Sequence, residues 1–389
     1  MKFSISSAGL FSHLQAISRV IGSKNAQLPI LDNFLFKIDE KVLTVTASDL
    51  DTTLITQIEL EQVEGNGSVA LSAKYLLEIL KEFSDQPLEF VINDENLSVT
   101  IKSQNGSYNF IGTPGDEFPK VPKLKDNAKS IMYSASHLSS GLTKALFATG
   151  NDDLRPVMSG VYFDITPDSS VFVGSDGHKL VRVKNLATKG SQTLNEDGSY
   201  EPAAFILPKK PANLLKNILA KESEAVHVSF DDRNVCFKLS NYEMVCRQIE
   251  GNYPKYNSVI PVNSPNQPYN PFKAVVDRVS MLNVIKRVSV FASQASQLVK
   301  LDFADNELKI SAQDIDFSIS AQESLSCMYQ DEPMSIGFKA LFLMEILSNI
   351  DSNEVVIELT APYSAALVLP LEPNEMEDIL MLITPIMLD

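Results

Sequence analysis

A chain of 389 residues with a formal charge of −16 at pH 7, 44% hydrophobic and 21% charged, is too long for one core and fits three compact domains of ordinary size. No run of 18 apolar residues occurs, which excludes a membrane-spanning helix, and Met1-Lys2-Phe3-Ser4-Ile5 alternates like a strand where a signal peptide needs a continuous apolar stretch. Cys236, Cys246 and Cys327 are odd in number and lack CxxC spacing, which argues against a zinc site and a disulfide framework and for a reducing cytoplasm.

The first segment predicts a helix over Leu10 to Ile21, then the turn Leu28-Pro29, then strands over 34–38, 42–47, 54–60 and 68–71. A second helix is introduced by Leu71-Ser72-Ala73-Lys74. Further strands follow over 88–92, 98–102 and 108–112, punctuated by Asn93-Asp94-Glu95-Asn96 and Asn105-Gly106, and the segment closes on Asp116-Glu117-Phe118-Pro119-Lys120.

The next segment repeats this order: a helix over Leu138 to Phe147, Arg155-Pro156, the apolar run Val161-Tyr162-Phe163, Gly174-Ser175-Asp176, a second helix opened by Leu207-Pro208-Lys209-Lys210, and a hairpin turning at Ser240-Asn241. It closes on Gly251-Asn252-Tyr253-Pro254-Lys255. Cys236 and Cys246 flank that hairpin and read as small buried apolar residues. The third segment keeps a helix over Met281 to Phe291, the run Val299-Lys300-Leu301, Ser311-Ala312-Gln313-Asp314, and Ile336-Gly337-Phe338-Lys339. From the start of the apolar run to the aspartate the interval is 15 residues each time: 34 to 49, 161 to 176 and 299 to 314. Equal spacing over three copies marks an internal repeat. The expected domains are 1 to 126, 127 to 262 and 263 to 389.

Two helices against so many short strands give an α+β unit, with antiparallel sheets on one side and the helix pair on the other. The open sheet edges must be covered or paired. Pairing edge to edge, domain after domain, would make a curved wall.

Charge is distributed unevenly along these elements. With 49 acids in the chain, about one residue in eight is acidic. Yet the first helical segment of every repeat has none: 7–24 carries Arg19 and Lys24, 134–150 carries Lys144, and 279–293 carries Lys286 and Arg287. The second helix of the middle repeat adds Lys209, Lys210, Lys216 and Lys221 with no acid between them, whereas Lys74, Lys81 and Lys339 stand near Glu78, Glu82 and Glu345. Ordinary amphipathic helices with a few solvated lysines are the plain alternative. Recurrence in three copies favours a basic helical surface, suited to weak, sequence-independent phosphate contacts.

The segments Met1-Lys2-Phe3, Leu28-Pro29-Ile30-Leu31-Asp32-Asn33, Ser175-Asp176-Gly177-His178-Lys179-Leu180, Tyr253-Pro254-Lys255-Tyr256, Ile336-Gly337-Phe338 and Pro385-Ile386-Met387-Leu388, in this order, resemble the bacterial DNA polymerase III beta subunits, the ring-shaped sliding clamps, over essentially the full length. The resemblance implies three clamp domains, each with two helices packed on antiparallel sheets. It also implies a head-to-tail homodimer forming a closed ring around double-stranded DNA, with twelve helices lining the hole. By this resemblance Lys24 and Lys74 match positions near DNA; Arg19, Lys144, Lys209, Lys210, Lys286 and Arg287 join them on charge alone.

The resemblance further implies a peptide-binding pocket between the second and third domains. Short segments ending in Leu-Phe-like pairs, from the DNA polymerase III alpha subunit, the clamp loader and other proteins carrying a clamp-binding motif, would dock there. Matching positions are Arg155, Met158, Ser175, Gly177, His178, Lys179, Leu180, Pro254, Val259, Thr384, Pro385, Ile386 and Met387. Their types suit apolar walls with a few polar anchors. Tyr108 and Phe110 on one side, and Val290 and Phe291 on the other, match the dimer interface. The chain departs from the family at its tail, where Met387-Leu388-Asp389 lacks the usual arginine, at Ser258, which replaces a basic residue, and at Glu372 to Ile379, an acidic insertion.

Asp176 and His178 do not make a catalytic pair on sequence grounds, because no nucleophile motif accompanies them and Asp176 has counterparts in Asp49 and Asp314. No Walker loop, dinucleotide fingerprint or HExxH occurs, so neither cofactor nor metal is expected and ring opening must be driven by a separate loader. The expected role is a cytoplasmic processivity factor without a catalytic site. A peptide-binding scaffold that never encircles DNA is the alternative; it leaves the acid-free helices unexplained.

Overall fold

A computed structural model describes residues 1–22, 28–152, 154–190, 203–262, 269 and 271–388. Among the described residues six α-helices punctuate short antiparallel strands: α1 (Ser7–Ser18), α2 (Ala73–Leu80), α3 (Ala135–Leu146), α4 (Lys209–Leu219), α5 (Arg278–Val288) and α6 (Ala340–Ser348). The first helix of each repeat starts three residues earlier than periodicity alone places it, and in α1 and α5 the reason is a capping group upstream. Ser6 Oγ accepts from the Gly9 N–H at 3.0 Å and Asp277 Oδ1 from the Ser280 N–H at 2.7 Å, satisfying amides that the first helical turn leaves unbonded. After α5 the chain tightens into a 3-10 turn over Ser289–Phe291, so the helix predicted to reach Phe291 ends in a different winding.

The chain forms two compact units, Met1–Ser136 with Asn213–Gln248, and His137–Ala212 with Ile249–Asp389. In the first, a five-stranded sheet orders Val63–Glu64, Lys2–Ser6, Pro87–Ile92, Ser98–Lys102 and Ser107–Ile111, and a nine-stranded sheet runs from Thr113–Pro114 to Lys129–Ser134. α1 turns Leu10, Leu14 and Ile17 inward, a single stripe at helical spacing, and packs on α2 and on the strands Val42–Ser48 and Thr52–Glu59. Each such buried leucine or isoleucine contributes about 1.5–3 kcal/mol relative to exposure. Phe3 stacks on Phe90, centroids 4.8 Å apart, which seats the first strand.

The second unit contains a twelve-stranded sheet from Ala203–Pro208 to Met334–Lys339 and the packed pair α5 and α6. One ladder in each unit joins strands of different repeats. Thr52–Glu59 pairs with Tyr242–Arg247 through five residue pairs in the first, and Lys179–Asn185 pairs with Glu377–Ile383 through seven in the second. Edge strands expected to need partners therefore find them in the neighbouring repeat. These shared ladders also explain why the middle repeat contributes to both compact units.

The acidic stretch over 372–379 is not a free insertion. Asn374 forms a turn, its Oδ1 accepting from the Met376 N–H at 2.9 Å, and the last strand begins at Glu377. Cys236 and Cys246 lie on the strands of the expected hairpin, buried. Burial pushes the Cys236 thiol up to about 12 and the nearby Glu243 carboxylate adds to the shift, so it sits as an unreactive apolar group.

Candidate functional site

The expected basic residues differ in exposure. Arg19, Lys74, Lys210, Lys286 and Arg287 are exposed on or at the ends of their helices. Lys209 is half-buried and its Nζ donates to Asn151 Oδ1 at 2.9 Å. Lys24 lies outside the described residues. Arg287 is partly neutralised by a two-pronged bond to Glu323, Nε–Oε1 2.8 Å and NH2–Oε2 2.6 Å.

Lys144 requires a correction, because its side chain is only 10% exposed and cannot offer its charge to an external phosphate. Its Nζ lies 2.8 Å from Glu377 Oε2, itself 5% exposed, and 3.3 Å from Asp351 Oδ2. An ammonium and a carboxylate buried together satisfy each other, and separating them would strand a charge in a poorly solvated interior. Sequence reasoning missed this because Glu377 stands 233 residues away.

A second buried lysine organises the turn that joins Ser170–Ser175 to Lys179–Asn185. Lys179, 5% exposed, bonds Asp176 Oδ2 at 2.7 Å and reaches Glu345 Oε2 on α6 at 3.0 Å. Asp176 Oδ1 accepts the N–H groups of His178 and Lys179 at 2.8 and 2.9 Å, while Ser175 Oγ donates to the Lys179 carbonyl at 2.9 Å and accepts from the Gly177 N–H at 3.2 Å. Burial pushes the Asp176 carboxyl upward; the Lys179 ammonium and the two amides outweigh it and hold it below its ordinary value. Gly177 adopts φ +90°, a conformation that costs other residues strain.

The first repeat builds the same turn: Asp49 Oδ1 accepts from the Thr52 N–H at 2.7 Å and Ser48 Oγ from the Leu50 N–H at 3.1 Å. In the third, Asp314 Oδ1 accepts from the Asp316 N–H at 3.0 Å. These aspartates terminate strands.

Around the middle turn hydrogen bonds join two of the expected partner-binding residues, Arg155 and Thr384, to the turn itself. Arg155 bonds Asp152 Oδ2 at 3.2 Å and the Asp176 carbonyl at 3.3 Å. Thr384 closes on the other side, its N–H and Oγ1 both donating to the His178 carbonyl at 2.9 and 3.0 Å. Leu180 is buried against Val173, Tyr256, Ile260 and Leu382, and Met158 is buried as well. Both support the surface from beneath. Val259 and Met387 are exposed, and Ile386 and Pro385 half-buried; Ile386 donates its N–H to the Gly337 carbonyl at 2.8 Å.

Pro254 lines a cleft of about 390 Å³ beside the stacked pair Tyr162 and Tyr253, centroids 4.6 Å apart. Ser258 ties its Oγ to the Lys255 carbonyl at 2.7 Å. Phe342 was not foreseen. Its ring stacks on His178 with centroids 6.0 Å apart and lies under the ammonium groups of Lys179 at 4.4 Å and Lys339 at 5.1 Å, an aromatic platform with favourable cation contacts.

The expected interface residues are also distributed between the units. In the first, Tyr108 and Phe110 lie on Ser107–Ile111, the outermost strand of the five-stranded sheet. Tyr108 meets Phe83 edge-on at 5.6 Å, Phe110 is half-buried, and Ile111 beside them is 79% exposed. In the second, Val290 and Phe291 are exposed on the 3-10 turn, which packs beside the strands Glu307–Asp314 and Ile319–Met328. The turn between those strands exposes Ile315 (80%) and Phe317 (73%). Sequence reasoning overlooked this apolar tip, although three apolar residues alternating at Ile315, Phe317 and Ile319 in a turn were a visible signal. No group of three or more His, Cys, Asp or Glu is arranged to hold a metal among the described residues.

Three family models match consecutive stretches: DNA polymerase III beta subunit, N-terminal domain over residues 1–122, central domain over 134–255, and C-terminal domain over 258–384. Among curated relatives, the Beta sliding clamp of Synechococcus elongatus is 28% identical over 375 residues, covering 94% of each chain. That of Haemophilus influenzae is 25% identical over 382 residues, covering 98% of this chain and 99% of the relative. The crystal structure of the DNA polymerase sliding clamp from Pseudomonas aeruginosa with ligand shares the fold with a TM-score of 0.90 at 21% identity, covering 100% of both chains.

Proposed function

We propose, for a chain that belongs to the DNA polymerase III beta subunit family and acts as a DNA sliding clamp, that two copies close head to tail into a ring around duplex DNA. The domains are 1 to 126, 127 to 262 and 263 to 389, six to the ring. The observation that carries this reading is the threefold repeat, one family model per copy laid end to end along the chain. Apolar groups at the surface support the closure: the exposed Tyr108 and Ile111 and the half-buried Phe110 on an edge strand of one copy meet Val290, Phe291 and the tip at Phe317 of the other.

The solvent-facing cations Arg19, Lys74, Lys210, Lys286 and Arg287, with Lys24 and Lys209, supply the phosphate contacts. A duplex carries about one charge per 1.7 Å of axis, and contacts to phosphate position without specifying sequence. A closed ring holds DNA by topology, so these contacts stay weak and sliding stays fast. Arg287 contributes less than its charge suggests because Glu323 already binds it.

The turn Ser175 to Leu180, Arg155, Met158, Pro254, Val259 and the tail Thr384 to Met387 form the docking surface for peptides of the polymerase III alpha subunit, the clamp loader and other clamp-binding-motif proteins. The direct bonds linking Arg155, the turn and Thr384 support it, as does the platform of Phe342. The chain works in the cytoplasm as a processivity factor of the holoenzyme and supplies no catalysis of its own. Asp176, the most conspicuous carboxylate, is committed to the turn. No helix among the described residues is long and apolar enough to cross a membrane.

The mass of the particle in solution, with a low-resolution image, tests the assembly. Twice the chain mass of 42.9 kDa and a ring with a central hole are expected. A monomer at micromolar concentration or a solid particle would refute it.

A further inference from the structure

The strands Leu298–Ala304, Glu307–Asp314 and Ile319–Met328 of the last repeat carry a groove of about 990 Å³, one end of which reaches Ile315 in the apolar tip. Its floor is polar. Lys300, Ser311 and Gln322 stand opposite one another on three adjacent strands, and Gln313 stands opposite Ser320 in the next row, so these side chains project from the same face of the sheet. The groove's one cation is already engaged, Lys300 being paired with Asp302 at 2.9 Å; of its two acids, Asp314 accepts from amides of its own turn and Asp316 stands in that same turn. Ser311, Gln313, Ser320 and Gln322 make no side-chain hydrogen bond to the described residues, which leaves four neutral donor–acceptor groups facing outward.

The groove is continuous with the docking surface. Leu388 lines it together with Leu298. A Cβ placed on Gly337 would lie 2.7 Å from Leu298 Cδ1, 2.8 Å from the Ile386 carbonyl oxygen and 2.8 Å from Leu388 Cδ2. The groove floor and the tail residue Ile386 therefore meet at one point, where only a glycine fits.

We infer that this groove receives the residues flanking the recognition motif of a docked partner peptide, held extended and rich in uncharged hydrogen-bonding side chains. The inference rests on the peptide-docking reading of the turn and tail. An acidic flank would meet Asp314 and Asp316 with the one cation already paired, a basic flank could pair only with those two acids at the turn and would leave the polar rows unmatched, and an apolar flank leaves four polar groups without water or partner, which is unfavourable. Serine, asparagine and glutamine satisfy the rows. Each hydrogen bond exchanged with water adds modestly, so the flank tunes affinity and the motif sets it.

Binding of fluorescent peptides to the full chain tests this. The probes are a pentapeptide ending in Leu-Phe, the same pentapeptide with four Ser, Asn or Gln residues on each side, and the same with alanine flanks. The polar-flanked peptide should bind roughly five- to tenfold tighter than the other two, and Ser311→Trp, which fills the groove, should abolish that gain while leaving pentapeptide affinity and particle mass unchanged. Equal affinity for polar and alanine flanks, or a gain that survives Ser311→Trp, would overturn the inference and leave the docking site intact. Loss of the dimer in Ser311→Trp would reassign the groove to a contact between copies and overturn it too. If the pentapeptide failed to bind, the docking reading would fall, and this inference with it.

Discussion

Replacing Lys144 by alanine should destabilise the part of the chain that contains it, with no selective effect on DNA contact. The ammonium is 10% exposed and its main partner, Glu377, 5% exposed, at 2.8 Å, so removing the lysine leaves a carboxylate without a counter-charge in the interior. Breaking such a pair costs about 3–5 kcal/mol. Asp351, 82% exposed at 3.3 Å, adds at most about 1 kcal/mol, since solvent screens it. In a unit of this size the loss lowers the melting temperature by roughly 6–20 °C. Thermal and urea unfolding of Lys144→Ala, Glu377→Gln and the pair Lys144→Met with Glu377→Leu measures the coupling. The double variant should recover most of the lost stability, because an apolar pair replaces a buried ionic one without stranding a charge. A Lys144→Ala protein within about 1 kcal/mol of the parent would show that the ammonium is not held inside, and a selective loss of DNA retention in that variant would return Lys144 to the DNA-facing set.

Three further outcomes are expected. Phe291→Glu places a charge in an apolar contact and should yield monomers by sedimentation at micromolar concentration, with the parent dimeric; a dimeric variant would remove Phe291 from the interface. Deleting residues 384 to 389 removes both bonds from Thr384 to the His178 carbonyl and should weaken a Leu-Phe-ending peptide by at least tenfold, whereas unchanged affinity would exclude the tail from docking. Asp176 has a carboxyl held below its ordinary 3.8, so its stabilisation of the turn is fully present above that value and is lost as pH falls through the lower folded value. Exchange protection of the His178 and Lys179 amides should therefore persist down to about pH 4 and fail below it, and Asp176→Asn should reduce it at neutral pH; protection that is already lost at pH 6 would contradict the assignment.

The repeat, the strands and the hairpin at Ser240-Asn241 were legible because they depend on local alternation and turn residues. The starts of α1 and α5 were less so, since a single capping side chain, Ser6 or Asp277, decides them against the apolar period. Long-range pairing was hardest to read. Lys144 looks like any helical lysine until the strand beginning at Glu377 is laid beside Lys179–Asn185, and the same ladder turns an apparent acidic insertion into a turn and a buried counter-charge. The turn Ser175 to Leu180 was legible as a unit through its counterparts at Asp49 and Asp314. Phe342 and the tip at Phe317 were not, because an isolated phenylalanine carries no mark of whether it faces the core or a partner.

The central claim is topological retention by a ring whose cations touch DNA only weakly. The direct measurement is the fraction of chain bound to a nicked circular duplex after loading, before and after the circle is cut. Retention on the circle at moderate salt, with rapid release on linearisation, is the predicted result. Equal retention on circular and linear duplex, or none on either in the presence of the loader, would contradict it.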